Sequence, residues 1–349
     1  MRRALVVGGL GIVGQGLVTE LTASGEWEVF GLSRRAPPAP SAARFVSVDL
    51  LDRAACEAKL ADLPDITHVF YAAYLQKPTF AEEVEPNLVM LKNLVEALEA
   101  RSGALRHVCL VHGTKAYGTH YGAYKTPARE SDPRHIGTIW YYAQEDYIRE
   151  RSQGKAWSWS ILRPRTIYGW SLNSPLNLLT NIAAYAAISK ELRLPLRFPG
   201  TDGGYRRIEQ AVDTGLLARA AAFAATRPHC AGEIFNVTNG GHFRWEHMWP
   251  FIAGRFGMEV GPVSTVRLTH VMSDKEPVWA GMVQKYGLKP YKLADFVDWT
   301  FGDFQWHAGY DSFVETTKFR RFGFHEVVDD EEMFSRLFDR MKSERVIPA

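Results

Sequence analysis

Residues 4–14 read ALVVGGLGIVG, and how this stretch is read decides the fold. Ala4 to Val7 make a short strand pattern, Gly8, Gly11 and Gly14 follow at GxxGxxG spacing, and an apolar-periodic helix pattern begins near Gly11. Glycines at these places allow a tight turn, close approach of backbone to a pyrophosphate, and packing of the helix on the strand, while the first helical amides serve the phosphate. Glycine-rich turns also arise for steric reasons alone. The position, directly after a strand pattern and at the start of the first strand–helix unit, favours dinucleotide binding.

Outward from this stretch, short β-branched runs alternate with helical patterns. The strand patterns are WEVFGLS (27–33), RFVSVDL (44–50), ITHVFYAA (66–73), LRHVCLVHG (105–113) and WSWSILRP (157–164), with helices expected over 84–100 and 141–151. Such alternation predicts an α/β fold, a Rossmann-type doubly wound parallel sheet, over residues 1–165. Beyond it, helices over 176–189 and 212–225 and strands LRFPG (196–200) and GEIFNVT (232–238) no longer alternate evenly. Residues 166–349 are therefore expected to form mainly a smaller C-terminal, substrate-side lobe, with some chain returning to the first sheet. PPAPSAAR (37–44) reads as a surface loop, because its prolines do not suit a central strand.

The formal charge of +2 on 349 residues is too small to suggest a footprint for nucleic acid or an anionic membrane, so a small molecule is the expected partner. Cys56, Cys109 and Cys230 are isolated and odd in number, which points away from a disulfide framework and towards a reducing cytoplasm. No HxxxH or HxH spacing suggests a metal. No stretch is apolar enough over a sufficient length to cross a bilayer.

The second strand pattern ends in GLSRR (31–35). An NAD site usually has an acidic residue at this end for the ribose hydroxyls, whereas arginine accommodates a 2'-phosphate, so Arg34 and Arg35 favour NADP(H) over two merely solvated cations. Asp49 stands where such folds contact adenine, or else caps the helix beginning at Asp52.

The chemistry is expected in LVHGTKAYG (110–118) and WYYAQED (140–146). Ordinary short-chain reductases pair a Tyr with a Lys four residues later and place a Ser or Thr four residues before a Tyr-Gly pair. Here Tyr142 is followed at that spacing by Asp146, and Gly113 stands four residues before Tyr117. Lys115, just past a strand's C-terminal end, is either a solvated loop cation or a replacement that reaches the cavity from another direction and favours a tyrosine phenolate. His112 is read as a strand-end residue near the cofactor, with an acid–base role as the alternative. Asp213 is read as a helix N-cap. Trp140, Tyr74, Tyr121, Tyr168 and Trp170 are candidates for an apolar pocket or for the core.

These stretches, with VFGLSRR (29–35), THVFYAAY (67–74), WSWSILRPRTIYGWS (157–171), AAYAAISKE (183–191), FNVTNGGHFRWEHMW (235–249) and DKEPVW (274–279), resemble the progesterone 5β-reductase and iridoid synthase group. These are enone reductases among the atypical extended short-chain dehydrogenases. The resemblance implies Lys115 and Tyr141 as the catalytic pair, although spacing alone favours Tyr142. It places cofactor contacts on Leu10, Gly11 and Ile12, on Arg34 and Arg35, on Asp49 and Leu50, on Ala73, on Ile167, and on Ser174, Pro175 and Leu176. The family commonly has Thr and Trp where this chain has Ala73 and Tyr74, and Phe near the place of Tyr121, which leaves substrate identity open.

The resulting expectation is NADPH-dependent 1,4-reduction of a small apolar enone or enal, with Tyr141 and Lys115 stabilising the enolate oxygen. The alternatives are a carbonyl reductase, a sugar-nucleotide epimerase or dehydratase, or a non-catalytic NADP-binding protein. The resemblance also implies a homodimer.

Overall fold

The computed structural model describes residues 1–37, 40–171, 174 and 176–349. In chain order its first part contains β1 (Arg2–Val7), α1 (Ile12–Ala23), β2 (Trp27–Ser33), β3 (Arg44–Ser47), α2 (Arg53–Ala61), β4 (His68–Tyr71), α3 (Phe80–Arg101), β5 (His107–Val111), α4 (Trp140–Arg151) and β6 (Ser158–Pro164). There follow β7 (Thr166–Tyr168), α5 (Leu178–Glu191), α6 (Asp202–Arg206), β8 (Ala211–Asp213), α7 (Thr214–Thr226), β9 (Glu233–Val237) and α8 (Trp245–Arg255). Six further helices complete the chain: α9 (Leu268–Val271), α10 (Glu276–Tyr286), α11 (Leu293–Phe296), α12 (Trp299–His307), α13 (Thr317–Arg321) and α14 (Asp330–Ser343).

Seven strands form one parallel sheet in the order β3-β2-β1-β4-β5-β6-β9. The order reverses between β1 and β4, the switch point where ligands sit beyond the C-terminal strand ends. The two-residue period of β1 explains the layering. Leu5 and Val7 pack with Leu60, Leu91, Leu94 and Ile148 of α2, α3 and α4, whereas Ala4 and Val6 pack with Leu17 of α1 and Leu216, Leu217 and Ala221 of α7. A third core, around Trp245, Trp249, Trp306, Phe198 and Phe334, lies in the later part of the chain.

Two local expectations fail. LRFPG makes only a single bridge, Leu196 to Val260, because Pro195 and Pro199 remove the donors on either side that a strand needs. The cap of α2 is Asp52, which accepts from the Ala55 N–H, while Asp49 accepts from the Leu51 N–H in a turn of its own. Asp213 caps α7 through the amides of Gly215 and Leu216.

Candidate active site

The glycine turn is shaped by close approaches. Gly8 has φ +80°, and a Cβ there would lie 2.9 Å from the backbone of Ala72 and Ala73 at the end of β4. A Cβ on Gly14 would lie 2.1 Å from the Gly8 carbonyl oxygen, so this glycine seats α1 on the turn. Gly11 meets nothing closer than 3.4 Å and leaves room for a ligand's backbone approach. It starts α1 with no side-chain cap, so the first-turn amides are open to an anion.

A cleft of about 580 Å³ runs from this turn over the switch point, and Gly8, Leu10, Gly11, Ile12, Arg34, Arg35, Asp49, Leu50, Ala73, Ser174 and Leu176 all line it. Pro175 lies outside the described residues. The shape, the uncapped helix start and the two arginines at one end fit a phosphorylated dinucleotide. The cleft shares Ile12, Ala73, Tyr74 and Leu176 with a second cavity of about 960 Å³, whose wall also includes Ile167.

Lys115, Tyr141, His112, Gly113, Tyr74, Tyr121 and Trp140 line that second cavity. Beyond β5 the chain takes a 3-10 turn over Thr114–Tyr117, which presents Lys115. Its ammonium sits over the rings of Phe80 at 4.9 Å and Trp140 at 5.9 Å, and it forms no ion pair among the described residues. Burial lowers its pKa, and the Glu83 charge opposes that.

Helix α4 sets the two tyrosines on different faces. Its buried stripe is Tyr141, Gln144, Glu145 and Ile148, at i, i+3, i+4 and i+7. Tyr142, about 100° round the helix, donates to the Ala116 carbonyl and accepts from the His135 N–H, and it does not line the cavity. Asp146 pairs with Arg134 through both carboxylate oxygens, at 2.6 and 2.9 Å. It is therefore turned to the exposed flank.

The Tyr141 ring stacks on His112 at 4.4 Å and 12°, and its hydroxyl bonds to none of the described residues. A Cβ on Gly113 would lie 3.1 Å from that hydroxyl. Gly113 is fully extended, at φ 173°, so space rather than backbone conformation calls for glycine. The place of the usual Ser or Thr is thus given over to the Tyr141 oxygen. Burial, and then the Glu83 charge, push the phenol above its ordinary range, against Arg163. The expected phenolate-favouring effect of Lys115 does not prevail, and Tyr141 stays a donor.

His112 is held neutral, its pKa pushed down to about 3 by burial and then by Arg163. Its Nε2 meets Gln144 Oε1 at 3.2 Å, and Gln144 in turn donates to the Asn87 carbonyl. The ring is a platform for Tyr141 with no proton to give at neutral pH. Tyr168 is core, packed edge-on against Phe334, and Trp170 lies under Arg340 in a different cleft.

Sequence reasoning missed Glu83. This residue of α3's first turn is 2% exposed and lines the cavity. Its Oε1 accepts from the Tyr74 hydroxyl at 2.5 Å, Tyr74 stacks on Trp140 at 4.6 Å, and its Oε2 is buried without a partner. A carboxylate so placed needs a nearby cation, and the Lys115 ammonium lies along the same cavity wall. In the sequence it reads as an ordinary acidic residue near a helix N-terminus.

Residues 45–348 match the model of the PRISE-like Rossmann-fold domain. An (S)-8-oxocitronellyl enol synthase of Nepeta cataria is 36% identical, over 99% of this chain and 93% of its own. A 3-oxo-Δ(4,5)-steroid 5β-reductase of Arabidopsis thaliana is 32% identical, over 99% and 92%. The chain belongs to the PRISE-like family. Among solved structures, the UDP-glucose 4-epimerase of Thermotoga maritima superposes with a TM-score of 0.71 at 17% identity, covering 98% of this chain and 99% of that one. For this family member, that likeness speaks to the extended short-chain fold alone. No helix among the described residues is long and apolar enough to cross a membrane.

Proposed function

We propose that the protein reduces the C=C bond of a small apolar enone or enal at the expense of NADPH. The observation that carries this reading is the Tyr141 hydroxyl, hydrogen-bonded to none of the described residues and cleared by Gly113, in one cavity with the half-buried Lys115. The named relatives are consistent with it: one name specifies a 3-oxo-Δ(4,5) steroid, the other an enol product. Arg34 and Arg35 at the cleft's end support NADPH over NADH. The resemblance alone carries the homodimer, which sedimentation would check.

When bound, NADPH supplies the hydride that reaches the substrate's β-carbon. The protein's part is electrostatic. Tyr141 donates a hydrogen bond to the carbonyl oxygen as enolate charge builds, and Lys115 adds positive potential from its aromatic seat. His112 and Gln144 hold the Tyr141 ring in place. The α-carbon takes its proton afterwards, from water. An ordinary carbonyl reductase or epimerase would use the hydroxyl and lysine that Gly113 and Asp146 replace.

NADPH oxidation with cyclohexenone, beside a saturated ketone, tests the reading. Turnover of the enone alone supports it. Turnover of the ketone points to carbonyl reduction, and tight NADPH binding without turnover across an enone panel points to a binding protein. Tyr141→Phe should cost about 10²- to 10³-fold in kcat with NADPH binding intact, and Lys115→Met should also cripple it. Full activity in Tyr141→Phe with loss in Tyr142→Phe would overturn the assignment.

A further inference from the structure

The cavity has a second polar corner, which the proposed reaction does not use. Arg165 follows Pro164 at the end of β6 and lines the cavity with Asp298, Thr300, Phe301, Phe304 and Gln305. Only 9% exposed, its guanidinium donates from Nε to the Ser312 carbonyl at 3.3 Å and pairs through Nη2 with Glu209 at 2.9 Å. Glu209, 1% exposed, is shared: Arg207, 4% exposed, reaches the same carboxylate at 2.5 Å and the Gln305 carbonyl at 2.8 Å. Two buried cations therefore face one buried anion, and no other carboxylate pairs with either arginine among the described residues. Tyr124, whose hydroxyl meets Ser312, and the Gln210 N–H on Glu209 are neutral neighbours, while the two further carboxylates, Asp298 on the cavity wall and Asp311, accept from the backbone N–H groups of Thr300 and Ile208 and pair with neither arginine among the described residues.

The excess charge has an outlet. The Nε atoms of Arg163 and Arg207 are sealed away without partners, whereas Arg165 Nη1 donates to no described residue and is not among the sealed atoms. It belongs to a residue of the cavity wall. A buried, unbalanced cation is costly until an anion meets it, and a charge-assisted hydrogen bond in such a place is strong. One excess charge matches a monoanion, whereas a phosphate dianion would leave the corner overcharged in the other sense.

We propose that this corner is a carboxylate subsite, so that the substrate is an enone or enal bearing a carboxylate remote from the reacting double bond. The proposal rests on the ene-reduction reading for the word enone, but the corner's preference for a carboxylate can be measured without turnover. For turnover, the probes are 8-oxooct-6-enoic acid, its homologues with shorter and longer chains, and their methyl esters. For binding, they are octanoate and octanamide titrated calorimetrically into the NADPH-loaded protein.

The acid should exceed its ester in kcat/KM by about 10- to 100-fold at the best chain length, and octanoate should bind at least about tenfold tighter than octanamide. In Arg165→Gln, which leaves Glu209 paired one-to-one with Arg207, both ratios should collapse towards one; in Arg165→Lys they should survive in part. The proposal is overturned if the wild type shows no acid preference at any chain length and no octanoate preference, or if Arg165→Gln keeps either preference. If no enone turns over but octanoate is still preferred through Arg165, the reaction assignment fails and the subsite stands.

Discussion

Replacing Gly113 by alanine should slow the reaction without weakening the fold or the cofactor site. A Cβ built on Gly113 lies 3.1 Å from the Tyr141 hydroxyl oxygen, whereas ordinary contact begins at 3.4 Å, so one partner must yield by the difference. The ring cannot slide freely, being stacked on His112 at 4.4 Å and set against Trp140 at 4.4 Å, so the hydroxyl swings towards the cavity. Misplacement of a reacting group by about 1 Å costs on the order of 10²-fold, and scaled logarithmically a few tenths of an ångström costs roughly three- to tenfold. Because Gly113 is extended, alanine carries no backbone penalty and restricts the unfolded chain, so Tm should hold or rise slightly. Gly113→Ser should lose more, because its hydroxyl can engage Tyr141 in competition with the substrate oxygen. Single-turnover NADPH oxidation, with NADPH Kd and Tm measured alongside, is the assay. A Gly113→Ala enzyme as fast as the wild type, or one whose loss lies wholly in NADPH binding, would refute the view that this glycine clears space for the phenol.

Three other predictions concern charge. Glu83→Gln removes the anion that opposes the burial-driven lowering of the Lys115 pKa and that raises the Tyr141 phenol, so the alkaline limb of the kcat/KM profile should move to lower pH; an unmoved limb would show that Glu83 acts on neither group. Arg34→Ser with Arg35→Ser should raise KM for NADPH about tenfold and leave KM for NADH nearly unchanged, and equal losses for both cofactors would remove the 2'-phosphate role. His107 and His112, each pushed down to about 3 by burial, bind a proton more readily in the unfolded chain, where the ordinary value is about 6.5. Their contribution is therefore whole above that value and is lost as pH falls towards 3, by up to about 3 kcal/mol per pH unit for the pair; a urea midpoint that does not fall between pH 7 and pH 5 would contradict it.

Much of the frame was legible because it rests on short-range rules. The strand–glycine–helix order at residues 4–14 and the even alternation up to Pro164 lead directly to a parallel sheet with a switch point. Which of Tyr141 and Tyr142 lines the cavity was less open than spacing made it, because Ile148, seven residues beyond Tyr141, marks the buried stripe of α4 and sets Tyr142 on the flank. LRFPG misled because apolar content outweighed its prolines. Glu83, Arg165 and Glu209 could not be read at all. Their meaning lies in burial and in partners drawn from distant segments, and charged residues in isolation read as solvated.

On the proposed reading, moving the cation changes the kind of catalysis. A lysine four residues after the tyrosine on the same helix is fixed beside the phenol and can lower its pKa enough for proton transfer. Lys115 instead comes from the turn after β5 and sits over Phe80 and Trp140, while burial and Glu83 hold the Tyr141 phenol above its ordinary range. A phenol in that state keeps its proton and can donate a hydrogen bond to an enolate, whose charge is shared with carbon and which can collect its proton there later. The residues therefore favour stabilising charge over moving a proton, and 1,4-reduction is the chemistry that needs only the first.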